Sequence, residues 1–229
     1  MKEIEVENFT ELHEAFEGYR PSKLKVFRGH ARPEWDLIPR AGREPYASVD
    51  DEEVFESWKR RAFEYIERPP NSDWGWLAIA QHHGLATRLL DWTKNPLIGA
   101  YFAVEEDHDC DSIVYAAHFV TQASPDESGP MDYPRTALYY PKGVVPRITR
   151  QGGLFSIHDN PTCALSEDSS SIMEIDKIVV DSSFREELRS QLSFYGINRL
   201  SLFPDLDGLA EFTNWTIESR EYWQYATEE

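Results

Sequence analysis

The stretch from Leu77 to Thr93 constrains this chain more than any other. It reads Leu-Ala-Ile-Ala-Gln-His-His-Gly-Leu-Ala-Thr-Arg-Leu-Leu-Asp-Trp-Thr. Apolar residues from Trp74 to His83 predict a helix that Gly84 closes at its C′ position. Gln81 and His82 are then delivered to the helix C-terminus, where the macrodipole favours imidazolium. Beyond it, Arg88 and Asp91 stand among Leu89, Leu90 and Trp92. Charges in apolar company are costly unless paired, so one reading is an internal Arg88–Asp91 salt bridge. The other is a functional site, because Gln81, His82, Arg88, Asp91 and Thr93 concentrate polar chemistry in an otherwise apolar run.

Composition limits what such a site can serve. A chain of 229 residues, 41% hydrophobic, can bury one full-sized core. Its 7 Trp, 11 Tyr and 12 Phe exclude a disordered protein. A net charge of −18 repels phosphate backbones and anionic lipid, so direct nucleic-acid binding is not expected, while a basic protein partner is compatible. No run approaches the roughly 18 apolar residues of a membrane span, and Met1-Lys2-Glu3-Ile4-Glu5 opens no signal peptide. The expectation is a soluble, cytoplasmic protein. Cys110 and Cys163 make neither a disulfide framework nor a zinc site by themselves. GxSxG, HExxH, CxxC, EF-hand and P-loop patterns are missing. Adjacent His82 and His83 would point about 100° apart on a helix, so no joint metal site is expected.

The acid is unevenly spread. From Arg20 to Arg43, seven basic residues face only Glu34 and Asp36. Such a segment either pairs with neighbouring acids or forms a local anion site. Within it, Leu24-Lys25-Val26-Phe27-Arg28 reads as a strand that ends in a tight turn at Gly29. Arg28 on a stiff backbone offers a planar fork for phosphate or carboxylate, and Gly29, without a Cβ, would let a ligand approach. The alternative is a buried Arg28 locked to an Asp or Glu.

Elsewhere, Asn8 with Glu11 is a capping box that starts a helix to about Tyr19. Helical spacing runs from Asp50 to Glu67, stopped by Pro69-Pro70. Asn95-Pro96 caps an apolar helix through Val104. Ser112 to Phe119, Gly153 to Ile157 and Ile175 to Val180 read as strands, and Thr121 to Arg135 as a loop. Ser183 and Glu186 suggest a second capping box, for a helix that Gly196 ends. A last helix starts near Pro204. The expected fold is one compact α+β domain with a mixed sheet and packed helices, spanning 1–229 with its core at about 24–212.

Two more stretches carry candidate chemistry. Arg150 and Gln151 precede a paired-glycine turn that could cradle an anion or be a plain turn, with His158 after the strand that follows. Asp205 and Asp207 either complement the positive end of a helix or supply a carboxylate to a basic cleft.

Together, Phe27-Arg28-Gly29, Gln81-His82-His83-Gly84-Leu85, Thr87 to Thr93, Arg150-Gln151 with Gly153 and Phe155, and Leu202 to Leu209 resemble the FRG domain, a bacterial and phage-associated family. The resemblance spans about Val26 to Ala210. Ala86 departs from it, standing where the pattern expects proline. It implies a component of a conflict, toxin or phage-defence system. The leading expectation is an enzyme acting on a phosphate-bearing ligand, NAD or another nucleotide, by ribosyl transfer or hydrolysis. His82, Asp91 and Asp207 would be its catalytic residues, and Arg28, Gly29, Gln81, Arg88, Arg150 and Gln151 its ligand-binding residues. The alternative is a non-catalytic sensor or interaction module whose acidic surface meets a basic partner or mimics nucleic acid.

Overall fold

A computed structural model describes residues 2–19, 23–106, 108–141, 151–167 and 170–219. One mixed sheet runs through it. Its strands are β1 (Glu3–Val6), β2 (Lys25–His30), β3 (Leu89–Thr93), β4 (Ser112–Phe119), β5 (Ala137–Tyr139), β6 (Gly153–Ile157) and β7 (Ile172–Val180). They lie in the order β1-β7-β4-β2-β3-β6-β5, with β1 parallel to β7 and every other pair antiparallel. The α-helices among the described residues are α1 (Phe9–Glu17), α2 (Asp51–Ala62), α3 (Asp73–His82), α4 (Pro96–Val104), α5 (Arg185–Phe194), α6 (Arg199–Leu202) and α7 (Leu206–Glu218). The expected single α+β domain with a mixed sheet is the observed fold.

Where helices begin follows from local caps. Asn8 accepts from the Glu11 backbone N–H at 3.1 Å, while Glu11 reaches back one residue further than a capping box requires, to the N–H of Glu7. Asn95 caps α4 at Leu97 with Pro96 in its first turn. Gly84 (φ +83°) and Gly196 (φ +79°) end α3 and α5 in the left-handed region. The second expected capping box is not formed. Asp181 accepts from the Ser183 N–H and hydroxyl and caps a 3-10 turn that feeds α5.

The sheet divides the core by side-chain alternation. On one face, α1, α4 and α5 pack over Phe27, Val114, Ala116, Ile178 and Val180. On the same face further along, α2 and α3 pack over Leu89, Ala137, Tyr139, Phe155 and Ile157. The opposite face, with Val26, Leu90, Trp92, Tyr115 and Leu154, is covered by the segments around Leu37 and Leu165.

Between the two halves the ladder nearly fails. β2 and β3 share the single register pair Phe27–Thr93, whereas β2 continues along β4 as far as His30–Ile113. Strands that diverge after one pair open a fork, and their unpaired backbone groups need other partners.

The expected turn at Gly29 is not there. β2 runs straight through it, because Gly29 pairs with Val114. Its missing Cβ admits α4 rather than a ligand. A Cβ at this position would lie 2.2 Å from the Gly99 carbonyl oxygen and 2.3 Å from the Ala103 nitrogen. Glycine therefore lets α4 rest on the strand backbone, which fixes where Phe102, Glu105 and Glu106 stand.

Candidate functional site

A cavity of about 380 Å³ opens at the fork between β2 and β3. Its walls come from β2 (Phe27, Arg28, Gly29), the end of α3 (Gln81, His82), β3 (Asp91, Trp92, Thr93), β6 (Gly153, Leu154, Phe155), α4 and the residues after it (Phe102, Glu105, Glu106), and from Gln151 and Phe203. Six of the residues singled out from sequence, Arg28, Gly29, Gln81, His82, Asp91 and Gln151, thus share one hollow.

Arg28 reaches it through the gap in the ladder. Alternation and its register with Tyr115 assign Arg28 to the opposite face from Phe27. The missing β2–β3 pairing leaves room for its guanidinium, and Nη1 donates to the Asp91 carbonyl at 2.7 Å, the group an unbroken ladder would have paired. Nε donates to His30 Nε2 at 3.0 Å. Nη2 has no hydrogen-bond partner among the described residues. Burial pushes the Arg28 guanidinium down from its usual range, opposed by Asp91, but arginine stays charged.

His30 is 3% exposed. Since Nε2 accepts from Arg28, the proton belongs on Nδ1, which donates to the Trp35 carbonyl at 3.1 Å. Burial, and secondarily the charge of Arg28, push the His30 pKa down to about 3. The imidazole is neutral at physiological pH.

Asp91 faces the same way as Leu89 and Thr93, into the cavity side. The Gln81 amide donates to its Oδ2 at 2.7 Å, and the Gln81 carbonyl accepts from the Thr87 hydroxyl at 2.6 Å. Thr87 in turn accepts from the Leu89 N–H at 3.1 Å. This chain fixes one carboxylate oxygen while the side chain stays 57% exposed, 3.8 Å from Arg28 Nη1. His82 ends α3 half-buried, its ring 5.0 Å from that of His83 in an edge-on contact.

The far wall is tied down by residues near the end of the described chain. The Gln151 amide donates to the Leu202 carbonyl at 3.2 Å, while its own carbonyl accepts from the Thr93 hydroxyl at 2.7 Å. Arg199 pairs with Glu105 and, at 2.6 Å, with Glu211, and lies over the Phe203 ring at 3.7 Å. Burial pushes the Glu105 carboxyl up, and the Arg199 charge opposes that. Asp205 caps α7 through the Gly208 N–H at 2.7 Å. A Cβ on Gly208 would lie 1.9 Å from the Phe203 carbonyl oxygen. Much of the Leu202 to Leu209 motif is therefore a device for seating Phe203 against the cavity.

Three candidates fall elsewhere. Arg88 does not pair with Asp91. All three of its guanidinium nitrogens are engaged away from the cavity: Nε and Nη2 donate to Asp51 at 2.8 and 2.7 Å, and Nη1 to the Met131 carbonyl at 2.6 Å. The odd spacing of 88 and 91 along an extended backbone sends the two side chains to opposite faces. Asp207 is exposed in the first turn of α7 and does not line the cavity. Arg150 lies outside the described residues. The basic segment is mostly occupied too. Arg43 donates to the Ile38 carbonyl, Arg40 to the Gly84 carbonyl and Tyr46, and Arg32 pairs with Glu34; Arg20 lies outside the described residues.

Sequence reasoning missed Phe102, Glu105 and Glu106. The available signal was two acids directly after an unusually apolar helix. Among the described residues, no group of His, Cys, Asp and Glu is arranged to hold a metal, and no helix is long and apolar enough to cross a membrane.

These features define an α+β protein with a polar cavity at a split in a mixed sheet, braced by an Arg–His pair on one side and a Gln–Asp pair on the other. Residues 23–112 match the family model of the FRG domain. The matched span holds Arg28, His30, Gln81, His82, Asp91 and Glu105, whereas Gln151 and Phe203 close the cavity from outside it. No curated protein and no solved structure matches the chain.

Proposed function

We propose that the cavity binds a small phosphate-bearing ligand, NAD or another nucleotide, and that the protein acts on its sugar by hydrolysis or ribosyl transfer. The observation that carries this reading is a guanidinium whose Nη2 is unengaged among the described residues, beside a solvent-open carboxylate, at a cavity within the size range of small-molecule sites. Arg28 Nη2 and the second hydrogen of Nη1 form the planar fork that suits a phosphate. Asp91, with Oδ2 held by Gln81, keeps Oδ1 for a ribose hydroxyl or an attacking water. His82, which lines the same cavity, is the proton donor to a leaving group.

The charge of the walls narrows the ligand. Asp91, Glu105 and Glu106 outnumber Arg28, so a chain of phosphates lying within the cavity would be repelled. A single phosphate on Arg28 with a hydroxyl-rich or cationic group further in is favoured, and the nicotinamide riboside half of NAD has that character. When the bond from ribose to the base breaks, its electron pair leaves with the base and positive charge builds on the sugar. Carboxylates stabilise that charge.

A second reading has its own observation: Thr87, Gln81, one oxygen of the Asp91 carboxylate and the Asp91 carbonyl are already satisfied within the protein. On that reading the motif is architecture, and the acidic chain is a sensor or interaction module for a basic partner. Thermal melting with NAD, ATP and phosphate, together with chromatographic assay of NAD turnover, separates the two. The enzyme reading expects a ligand at 100 times its dissociation constant to stabilise by about 2.7 kcal/mol, and expects folded Arg28→Ala and Asp91→Asn proteins to lose turnover and any toxicity to the expressing cell. No shift with any of the three, and no turnover, leaves the module.

A further inference from the structure

Arginine recognises an anion best when its guanidinium plane is fixed beforehand, because its side chain otherwise loses rotamer freedom on binding. In Arg28 two nitrogens are anchored, Nε on His30 and Nη1 on the Asp91 carbonyl. Two fixed points on a planar group leave one orientation for the third nitrogen.

We propose that His30 is the positioning residue of this site, its imidazole setting the Arg28 guanidinium so that Nη2 is presented to the anionic group of a ligand in the cavity. The inference rests on the reading of Arg28 as the anion clamp. His30 itself does not line the cavity. It is held from behind by the Trp35 carbonyl and between the edges of Tyr115, at 5.1 Å between ring centres, and Trp35, at 6.0 Å. These contacts restrain the ring. The role also demands an acceptor: an imidazolium has no lone pair for Arg28 Nε and would repel it. The burial that holds His30 neutral is therefore part of the device.

The test compares His30→Gln, whose amide oxygen can still accept from Nε, with His30→Leu, which cannot. Binding of NAD and of inorganic phosphate is measured by calorimetry, the Arg28 Nε–H is followed by ¹⁵N NMR in the wild-type chain and both variants, and the His30 ring nitrogens in the wild-type chain. The expected result is at least a tenfold weaker Kd in His30→Leu, near-normal binding in His30→Gln, and a slowly exchanging Arg28 Nε–H that only His30→Leu abolishes. Wild-type affinity in a folded His30→Leu protein overturns the proposal. So does a wild-type His30 protonated on Nε2, a measurement that stands even if His30→Leu fails to fold. If the wild-type chain binds neither probe, the reading of the cavity fails instead, and the NMR signals alone decide whether His30 orients Arg28.

Discussion

Arg28 and Arg88 come from two motifs of similar appearance, each an arginine in apolar surroundings. Arg88 is 8% exposed, and Asp51 takes it in a two-point grip while Met131 takes a third hydrogen bond. Nothing in that arrangement is left for a ligand. Arg28 has one neutral acceptor and one carbonyl on two of its nitrogens, a third without a partner among the described residues, and a carboxylate that stays in water. The difference lies in how many donors the fold itself consumes, and sequence position says nothing about that.

The largest effect that would sharpen this contrast is at the Arg88 pair. Arg88→Ala leaves Asp51, mostly buried, without its cation, and should cost about 3–5 kcal/mol in denaturant unfolding. Joint replacement of Arg88 by Met and Asp51 by Leu should recover most of that loss. A loss near zero in the single variant would erase the distinction.

Next comes the acid sensitivity set by His30. Its folded pKa, about 3, lies below the ordinary histidine value, so the unfolded chain binds the extra proton first. Stability from this group is complete above about pH 6.5 and falls as pH drops toward 3, by up to about 1.4 kcal/mol per pH unit. His30→Gln should remove that slope from unfolding curves collected across the window, and an unchanged slope would contradict a neutral buried imidazole.

Smaller effects belong to the cavity. Arg28→Ala removes two hydrogen bonds at a water-accessible site and should cost only about 1–2 kcal/mol in thermal unfolding, while abolishing the ligand-induced melting shift. Smallest is Asp207→Ala: an exposed helix-start residue outside the cavity should change stability by less than about 0.5 kcal/mol and leave any ligand shift intact. Loss of ligand binding there would return Asp207 to the site.

How much was legible follows the range of the forces involved. The caps of α1 and α4 and the glycine stops of α3 and α5 are contacts within a few residues, so the local pattern gives them. β1 has four residues and β5 three, and neither holds a shape without its neighbours β7 and β6. β3 was hidden because Leu89 to Thr93 is a five-residue run with apolar residues on both faces, which periodicity cannot tell from buried helix. The site was half legible. Side chains clustered in the Gln81 to Thr93 block were visible, whereas Glu105, Phe203 and the partner of Arg88 come from distant parts of the chain.

The amino-acid order by itself determined the α+β class, the capped helices and the residues able to carry polar chemistry, because propensity, capping and alternation act over a few positions. Only the tertiary structure decided that Gly29 admits a helix rather than a ligand, that Arg88 is bound to Asp51, and that Arg28 enters a fork where two strands part. Those outcomes depend on which backbone groups are left without a partner after the sheet has assembled, and that is a property of long-range packing.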